Sequence, residues 1–419
     1  MEPVPSVGQV FFPLDEELAL LPGHLTPKHQ EHLAHLGSWM PFARAAQMLS
    51  TLLGVQVSEP TVRRGTERAG AVYERQQTAQ VHQPIEACTP VPLVCEKQVI
   101  STDGAYVPLV GGEWAEVRTV AIGEVKKEAK EGSGEVHTCH LSYFSRMTDA
   151  ETFADLAEVE IQRRGVRQTK QVGAVTDGAP WIQRFIDVHR PDAVRILDFP
   201  HAAEHLGLLA EALRQAHVVL PERVVERSLH VLKHRGPGLL LGWCERLPDE
   251  ITCLEEVRKQ LEYFRKRLTL MHYPDYQEQG WPIGSGMVES ANKLVVQARL
   301  KGAGMHWKPS HVNPMLTLRT AVCSERWDEA WQETIRAFWA QRQHCRRELA
   351  TTRFEARLSS FLLLLLRFFP PTPKPHPPKS CPVPRLVEPA ATLPGSFRPS
   401  AHHPWKRGPS CAPNGLAKL

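Results

Sequence analysis

The tetrapeptide Thr-Asp-Gly-Ala occurs twice in the chain, at 102–105 and again at 176–179, and each copy closes a short apolar run with the texture of a buried strand. The first run is Gln98-Val99-Ile100-Ser101 and the second Gln171-Val172-Gly173-Ala174-Val175. A carboxylate at the mouth of a strand, followed by glycine that leaves it uncrowded, is a natural ligand for a hard cation such as Mg²⁺. An isolated Asp-Gly after a strand is more commonly a plain turn. The repeat gains meaning only from a third carboxylate and from a fold that brings the two strand ends together.

The order of elements around the repeat supplies such a fold. From Val94 the chain reads as strands: one ends at Asp103, a second covers 114–122 and a third 138–144. The polar stretch 126–134 reads as an exposed connection. Thr148-Asp149-Ala150-Glu151 has the form of a capping box opening a helix to about Arg164. A strand ending at Asp177, a helix over 181–186 and a strand ending at Asp198 follow. Three strands, a helix, then strand-helix-strand is the order βββαβαβ…α of an α/β ribonuclease-H-like core with a mixed sheet. There the first strand lies centrally beside the fourth, which sets the ends carrying Asp103 and Asp177 next to each other.

Ahead of this core the pattern is helical. Thr26-Pro27 reads as an N-cap with proline at the first helical position, starting a helix through Leu36. In 42–53, Phe42, Ala45, Leu49 and Leu52 share a face, and Gly54 stops the helix. Ser58 then caps a third helix that tolerates Pro60 in its first turn. Val62, Thr66 and Ala69 face inward and Arg63, Arg64 and Arg68 outward. This is the outline of a helix-turn-helix near 41–70, although an ordinary helical hairpin with a solvated basic face has the same pattern. Pro84, Pro90 and Pro92 mark a linker, so a first domain is expected over 1–92 and the core from 93 to 201.

From 202 to 283 the chain reads as an all-α insertion, clearest at 204–213, 222–233 and 254–268. Arg258, Lys259, Arg265, Lys266 and Arg267 cluster there, as a solvated face or as a track for a phosphate backbone. The glycine-rich Gly280-Trp281-Pro282-Ile283-Gly284-Ser285-Gly286 then delivers Glu289 into the start of a helix running past Val296. That is the third carboxylate, and it returns the chain to the core over 284–325. Arg299 and Lys301 lie in a basic, glycine-containing loop and are expected to contact DNA. Further helix is expected at 316–323, within the core, and at 327–349, within a C-terminal segment 326–369. The proline-dense 370–419 has no apolar periodicity and is expected to be disordered.

Charge does not demand a nucleic-acid partner. The formal net charge over 419 residues is +4, so a nucleic-acid surface has to be a local patch. Nine scattered cysteines include no C-x-x-C pair, which suits reduced thiols in the cytoplasm rather than a zinc ribbon. The N-terminus has neither the basic start nor the apolar core of a signal peptide, and the apolar stretch 361–369 is interrupted by Arg367 and too short to span a bilayer. No membrane association is expected.

Asp103, Asp177 and Glu289 would give three hard oxygen ligands and no thiol or imidazole, which suits Mg²⁺ or Mn²⁺ better than Zn²⁺. Two such ions about 4 Å apart activate an attacking water or 3′-hydroxyl and stabilise the leaving oxygen in phosphodiester transfer. The chain resembles bacterial insertion-sequence transposases of the DDE class, in particular the ISKra-type group, whose core is similar to that of Mutator-like and hAT elements. The resemblance is carried by Thr102-Asp103-Gly104, Thr176-Asp177-Gly178-Ala179, Leu197-Asp198-Phe199-Pro200-His201, 284–291 and Gly304-Met305-His306-Trp307, and it runs from about Phe12 to about Trp331. It implies that Asp103, Asp177 and Glu289 form the catalytic triad. It also implies that Asp198 and His201 are accessory residues, that the partners are the element's terminal repeats and target DNA, and that the protein acts as a homo-oligomer at the bacterial nucleoid. The long interval from Asp177 to Glu289 fits the family's helical insertion.

Two other readings share these residues. His201-Ala202-Ala203-Glu204-His205 matches the H-x-x-E-H signature of a zinc metalloprotease. A DNA-binding regulator would use the helix-turn-helix alone, and it leaves the three acidic stretches unexplained.

Overall fold

In a computed structural model that describes residues 25–81, 95–127 and 136–368, Thr26 caps α1 (Pro27–Trp39) by accepting the His29 N–H at 3.2 Å. Helix α2 (Phe42–Leu53) ends where Gly54 turns left-handed, and α3 (Glu59–Val81) follows. Ala45 and Leu49 of α2 pack with Leu33 and Val62, but Leu52 is 65% exposed, contrary to the expected shared face. Val62, Thr66 and Ala69 are buried and Arg63, Arg64 and Arg68 exposed.

Among the described residues, β1 (Lys97–Pro108), β2 (Trp114–Lys127), β3 (Val136–Arg146), β4 (Gln171–Thr176) and β5 (Val194–Leu197) form one sheet in the order β3-β2-β1-β4-β5. The first three strands are an antiparallel meander; β4 runs parallel to β1, and β5 parallel to β4. Helix α4 (Ala150–Arg163) joins β3 to β4 and α5 (Pro180–His189) joins β4 to β5. The architecture is mixed α/β and compatible with a ribonuclease-H-like core. Helix α4 is capped by Asp149 rather than by Thr148, because the Asp149 carboxylate accepts the N–H groups of both Glu151 and Thr152. The strand expected to end at Asp103 continues to Pro108, held by β2.

Both faces of the sheet are buried, which is why its central strands read as nearly continuous apolar runs. Ile100, Val120, Phe144 and Ala174 pack against Phe153, Ile161, Ile182 and Phe185 of α4 and α5. Their strand neighbours Val99, Ala121, Tyr143 and Val175 point the other way into a larger core. That core is built with α6 (Phe199–Gln215), α7 (Val224–Arg235), α8 (Gly238–Cys244), α9 (Asp249–Thr252), α10 (Glu255–Lys266) and α11 (Tyr273–Glu278). The chain then returns through α12 (Gly286–Ala291), a π-helix over Asn292–Gln297, α13 (Ala298–Leu300), α14 (Pro309–Cys323) and α15 (Trp327–Phe368).

The N-terminal helices are not a detached body. Ala34 and Ala69 share a cluster with Leu318, Val322, Trp327 and Trp331. At Gly70 a Cβ would lie 2.2 Å from the carbonyl oxygen of Pro314, so only glycine permits this approach of α3 to α14. The chain divides into units 1–351 and 352–419, and the described part of the second is the end of α15, which exposes Phe354, Leu358 and Phe361. Helix α15 thus continues well past the expected end at Leu349. No helix among the described residues is long and apolar enough to cross a membrane. The linker prolines Pro84, Pro90 and Pro92, most of the polar connection and the proline-dense tail lie outside the described residues.

Candidate active site

Strands β1, β4 and β5 run parallel, with Ile100 opposite Ala174 and Thr176 opposite Leu197. Continuing the first register three residues along each strand brings Asp103 level with Asp177. Asp198 follows Leu197 directly, and its N–H donates to the Thr176 carbonyl at 2.8 Å. Asp103, midway along β1, therefore stands level with the carboxyl ends of β4 and β5, which carry Asp177 and Asp198, the side on which open α/β sheets bind ligands.

Asp103 accepts the Gly104 N–H on Oδ1 at 2.7 Å and the side-chain amide of Asn292 on Oδ2 at 2.9 Å. Burial pushes its carboxyl above the usual range, and the negative charge of Asp177 adds to the rise. Asp177 accepts the Ala179 N–H at 2.8 Å, and its loop turns on Gly178 at φ 74°. From the helical insertion, Arg267 donates to the main-chain carbonyls of Asp177 at 3.2 Å and Gly178 at 3.1 Å, with its guanidinium 4.0 Å above the Tyr263 ring.

Asp198 is fully buried and saturated: it caps α6, accepting the His201 N–H at 3.1 Å, His201 Nδ1 at 2.6 Å and the Ser285 N–H at 2.5 Å. Burial opposes ionisation, but these hydrogen bonds outweigh it and hold the carboxyl below its ordinary range. His201 is raised to about 8, chiefly by the hydrogen bond to Asp198, and the charges of Asp198, Asp177 and Asp103 support it against partial burial. Glu289 lies on α12, where the Ser285 hydroxyl approaches its carboxylate at 3.4 Å. Ser285 thereby ties Asp198 to Glu289. One turn after Glu289, Asn292 ties the same helical stretch to Asp103 at the point where it becomes a π-helix, an irregularity frequent at functional sites.

The donor set suits a hard cation. Asp103 and Asp177 are a like-charged pair that a cation would relieve, and Oδ1 of buried Asn292 has no hydrogen-bond partner. The oxygens of Asp103, Asp177 and Glu289 do not form a group all within 4.8 Å of one another. A pair of ions about 4 Å apart shares out its ligands and needs no such group.

Arg299 overturns one expectation. It is 2% exposed, donates to the Gly37 carbonyl at 3.0 Å and lies between the Phe42 and Trp307 rings, so it cannot reach a DNA backbone. Lys301 is exposed, with Nζ 5.3 Å from the Trp114 ring. Arg68 is exposed but rests 4.8 Å over Phe338. His205 bonds Gln260 and stacks on Tyr263, while His201 is held by Asp198. Neither histidine belongs to a group of three metal-ligand atoms among the described residues.

Sequence reasoning missed Asn292, Ser285 and Arg267. The first carried a signal, since three residues after Glu289 on a helix is the same face. Arg267 stands among four other basic residues and nothing local marks it.

No protein-family model matches the chain, and no curated protein matches it. Among solved structures, a Drosophila P element transposase strand transfer complex is similar at a TM-score of 0.26 and 10% identity, over 73% of this chain and 80% of that one. A likeness that distant assigns neither a family nor an activity to this chain.

Proposed function

We propose that the chain is a DDE transposase that cuts and joins DNA strands at the ends of an insertion sequence, with Asp103, Asp177 and Glu289 holding Mg²⁺ or Mn²⁺. The observation that carries this reading is the meeting of Asp103 and Asp177 on adjacent parallel strands, with the Glu289 helix tied to Asp103 through Asn292. When bound, the ions would supply activation of the attacking oxygen and neutralisation of the leaving one. The chain's own groups prepare the site. Asn292 and the Gly104 N–H orient the Asp103 carboxylate, and Arg267 holds the loop that presents Asp177. His201, with Nδ1 committed to Asp198, keeps Nε2 as a charged donor for a phosphate oxygen. Arg63, Arg64 and Arg68 of α3, with Lys301, are the contacts proposed for DNA, in an oligomer that holds two ends together. Among the described residues no group of three metal-ligand atoms includes His201 or His205, so the zinc protease reading finds no metal centre in the geometry.

Incubating the purified protein with its own flanking DNA, with and without Mg²⁺, and mapping the cuts tests the proposal. Asp103→Asn, Asp177→Asn and Glu289→Gln should each abolish cleavage and retain DNA binding. Cleavage that survives one of these changes removes that residue from the site, and metal-independent binding without any cut leaves a DNA-binding protein only.

A further inference from the structure

The β2–β3 ladder carries an irregularity away from the acidic centre. Its register passes from Ile122 opposite Ser142 to Glu124 opposite Cys139, so Gly123 alone faces His140 and Leu141. At this bulge His140 adopts φ 49°, a left-handed conformation that costs energy in a residue other than glycine. Along a regular strand Cys139 and His140 would point to opposite faces. Here the bulge swings the His140 ring onto the face of Cys139, where Nδ1 lies 2.9 Å from Glu124 Oε2 and 3.9 Å from Cys139 Sγ. The thiol also lies 3.7 Å from the Glu124 main-chain oxygen. Among the described residues these three side chains form the group whose ligand atoms all fall within 4.8 Å of one another.

We propose that Glu124, Cys139 and His140 bind a borderline divalent cation of the zinc class on the β2–β3 ladder, near the ends of the two strands that are joined in sequence. A thiolate, an imidazole and a carboxylate are the ligand types that zinc selects, with water as the fourth ligand. The all-oxygen set around Asp103 selects the opposite kind of ion. Arg164 sits 3.6 Å from Oε1 of Glu124, the other carboxylate oxygen, and so orients the group while leaving Oε2 for the metal. On binding, the Cys139 thiol loses its proton to solvent and His140 offers the lone pair of Nδ1. Thiolate, carboxylate and dication then sum to zero charge, with no redox change. Such a clamp explains why a strained histidine is placed where a straight strand would have been easier to build. The proposal does not depend on the transposase reading.

Titration of the chelator-treated, full-length protein with Co²⁺ tests it, because a thiolate on cobalt gives a charge-transfer absorption that carboxylate ligands do not. The expected result is one equivalent of Co²⁺ with the thiolate band, displaced by Zn²⁺. Cys139→Ser should abolish the band, and His140→Ala and Glu124→Gln should each weaken binding about tenfold or more. Asp103→Asn should leave it unchanged. Absence of the band in the unmodified protein, or its survival in Cys139→Ser, overturns the site. So does unchanged affinity in both His140→Ala and Glu124→Gln, since a simple Glu124–His140 ion pair would leave cobalt binding to other cysteines.

Discussion

The side-chain amide of Asn292 donates to Oδ2 of Asp103 at 2.9 Å, joining residues 189 positions apart. This hydrogen bond favours the ionised form of a carboxylate that burial, aided by Asp177, otherwise pushes toward neutrality. Asn292→Ala removes the donor, so Asp103 should become harder to ionise and a poorer ligand. Loss of such a supporting contact costs roughly 10–100-fold in metal affinity or activity. Mn²⁺ titration followed by electron paramagnetic resonance, paired with the strand-cleavage assay, measures both. Unchanged values in both would take Asn292 out of the site.

Asp198 and His201 make stability depend on pH in a defined window. The folded pKa of His201 is about 8 against an ordinary 6.5, so its contribution is fully present below 6.5 and lost as pH rises through about 8. The folded pKa of Asp198 lies below the ordinary 3.8, so its contribution is present above 3.8 and lost as pH falls through the depressed value. In chelator, the melting temperature of the unmodified protein should exceed that of His201→Gln most between about pH 4 and 6.5, with the gap closing above about pH 8. A gap that stays constant from about pH 6 to 9 would contradict the pairing.

The parts of the site legible in the sequence were those announced locally. The apolar run before Asp177 does end there, whereas pairing with β2 carries β1 through Asp103 and Gly104 to Pro108; the order of elements placed the first strand beside the fourth, as β1 and β4 are. The parts that were not legible depend on distant partners. Arg299 sits in a run that reads as an exposed basic loop, yet its burial is decided by Phe42 and by Gly37 of the N-terminal helices. The π-helix at Asn292 leaves no trace in apolar periodicity over so few residues. The cap at Asp149 was missed by one position because Thr148 and Asp149 both satisfy the composition rule, and only geometry distinguishes them.

Gly178 and Arg267 test whether the helical insertion supports the Asp177 loop. At φ 74° a side chain is strained, and a Cβ would lie 2.6 Å from Arg267 Nε. Gly178→Ala should destabilise by about 1–2 kcal/mol from the left-handed backbone alone, with more if Arg267 is displaced. Arg267→Ala leaves the Asp177 and Gly178 carbonyls without these donors and should cost about 1–3 kcal/mol. Denaturant unfolding gives the stabilities. Both variants should also cut DNA more slowly while binding it normally, whereas unaltered cleavage in Arg267→Ala would assign the contact to folding alone.

Arg299 and Lys301 are two residues apart and should behave oppositely. Arg299 is buried beside Arg319, and burial lowers its pKa to about 10, with the Arg319 charge adding to the effect. Arg299→Ala should destabilise by about 2–4 kcal/mol, through lost packing on Phe42 and Trp307 and an unsatisfied Gly37 carbonyl. Arg299→Met keeps most of the volume and removes a buried charge, so its cost should be smaller. Neither change should alter how DNA affinity falls with salt once the protein is folded. Lys301→Ala should leave stability within about 0.5 kcal/mol and reduce the slope of log affinity against log salt by about 1. A reduced slope in Arg299→Met, with none in Lys301→Ala, would return Arg299 to the DNA surface and contradict its buried position.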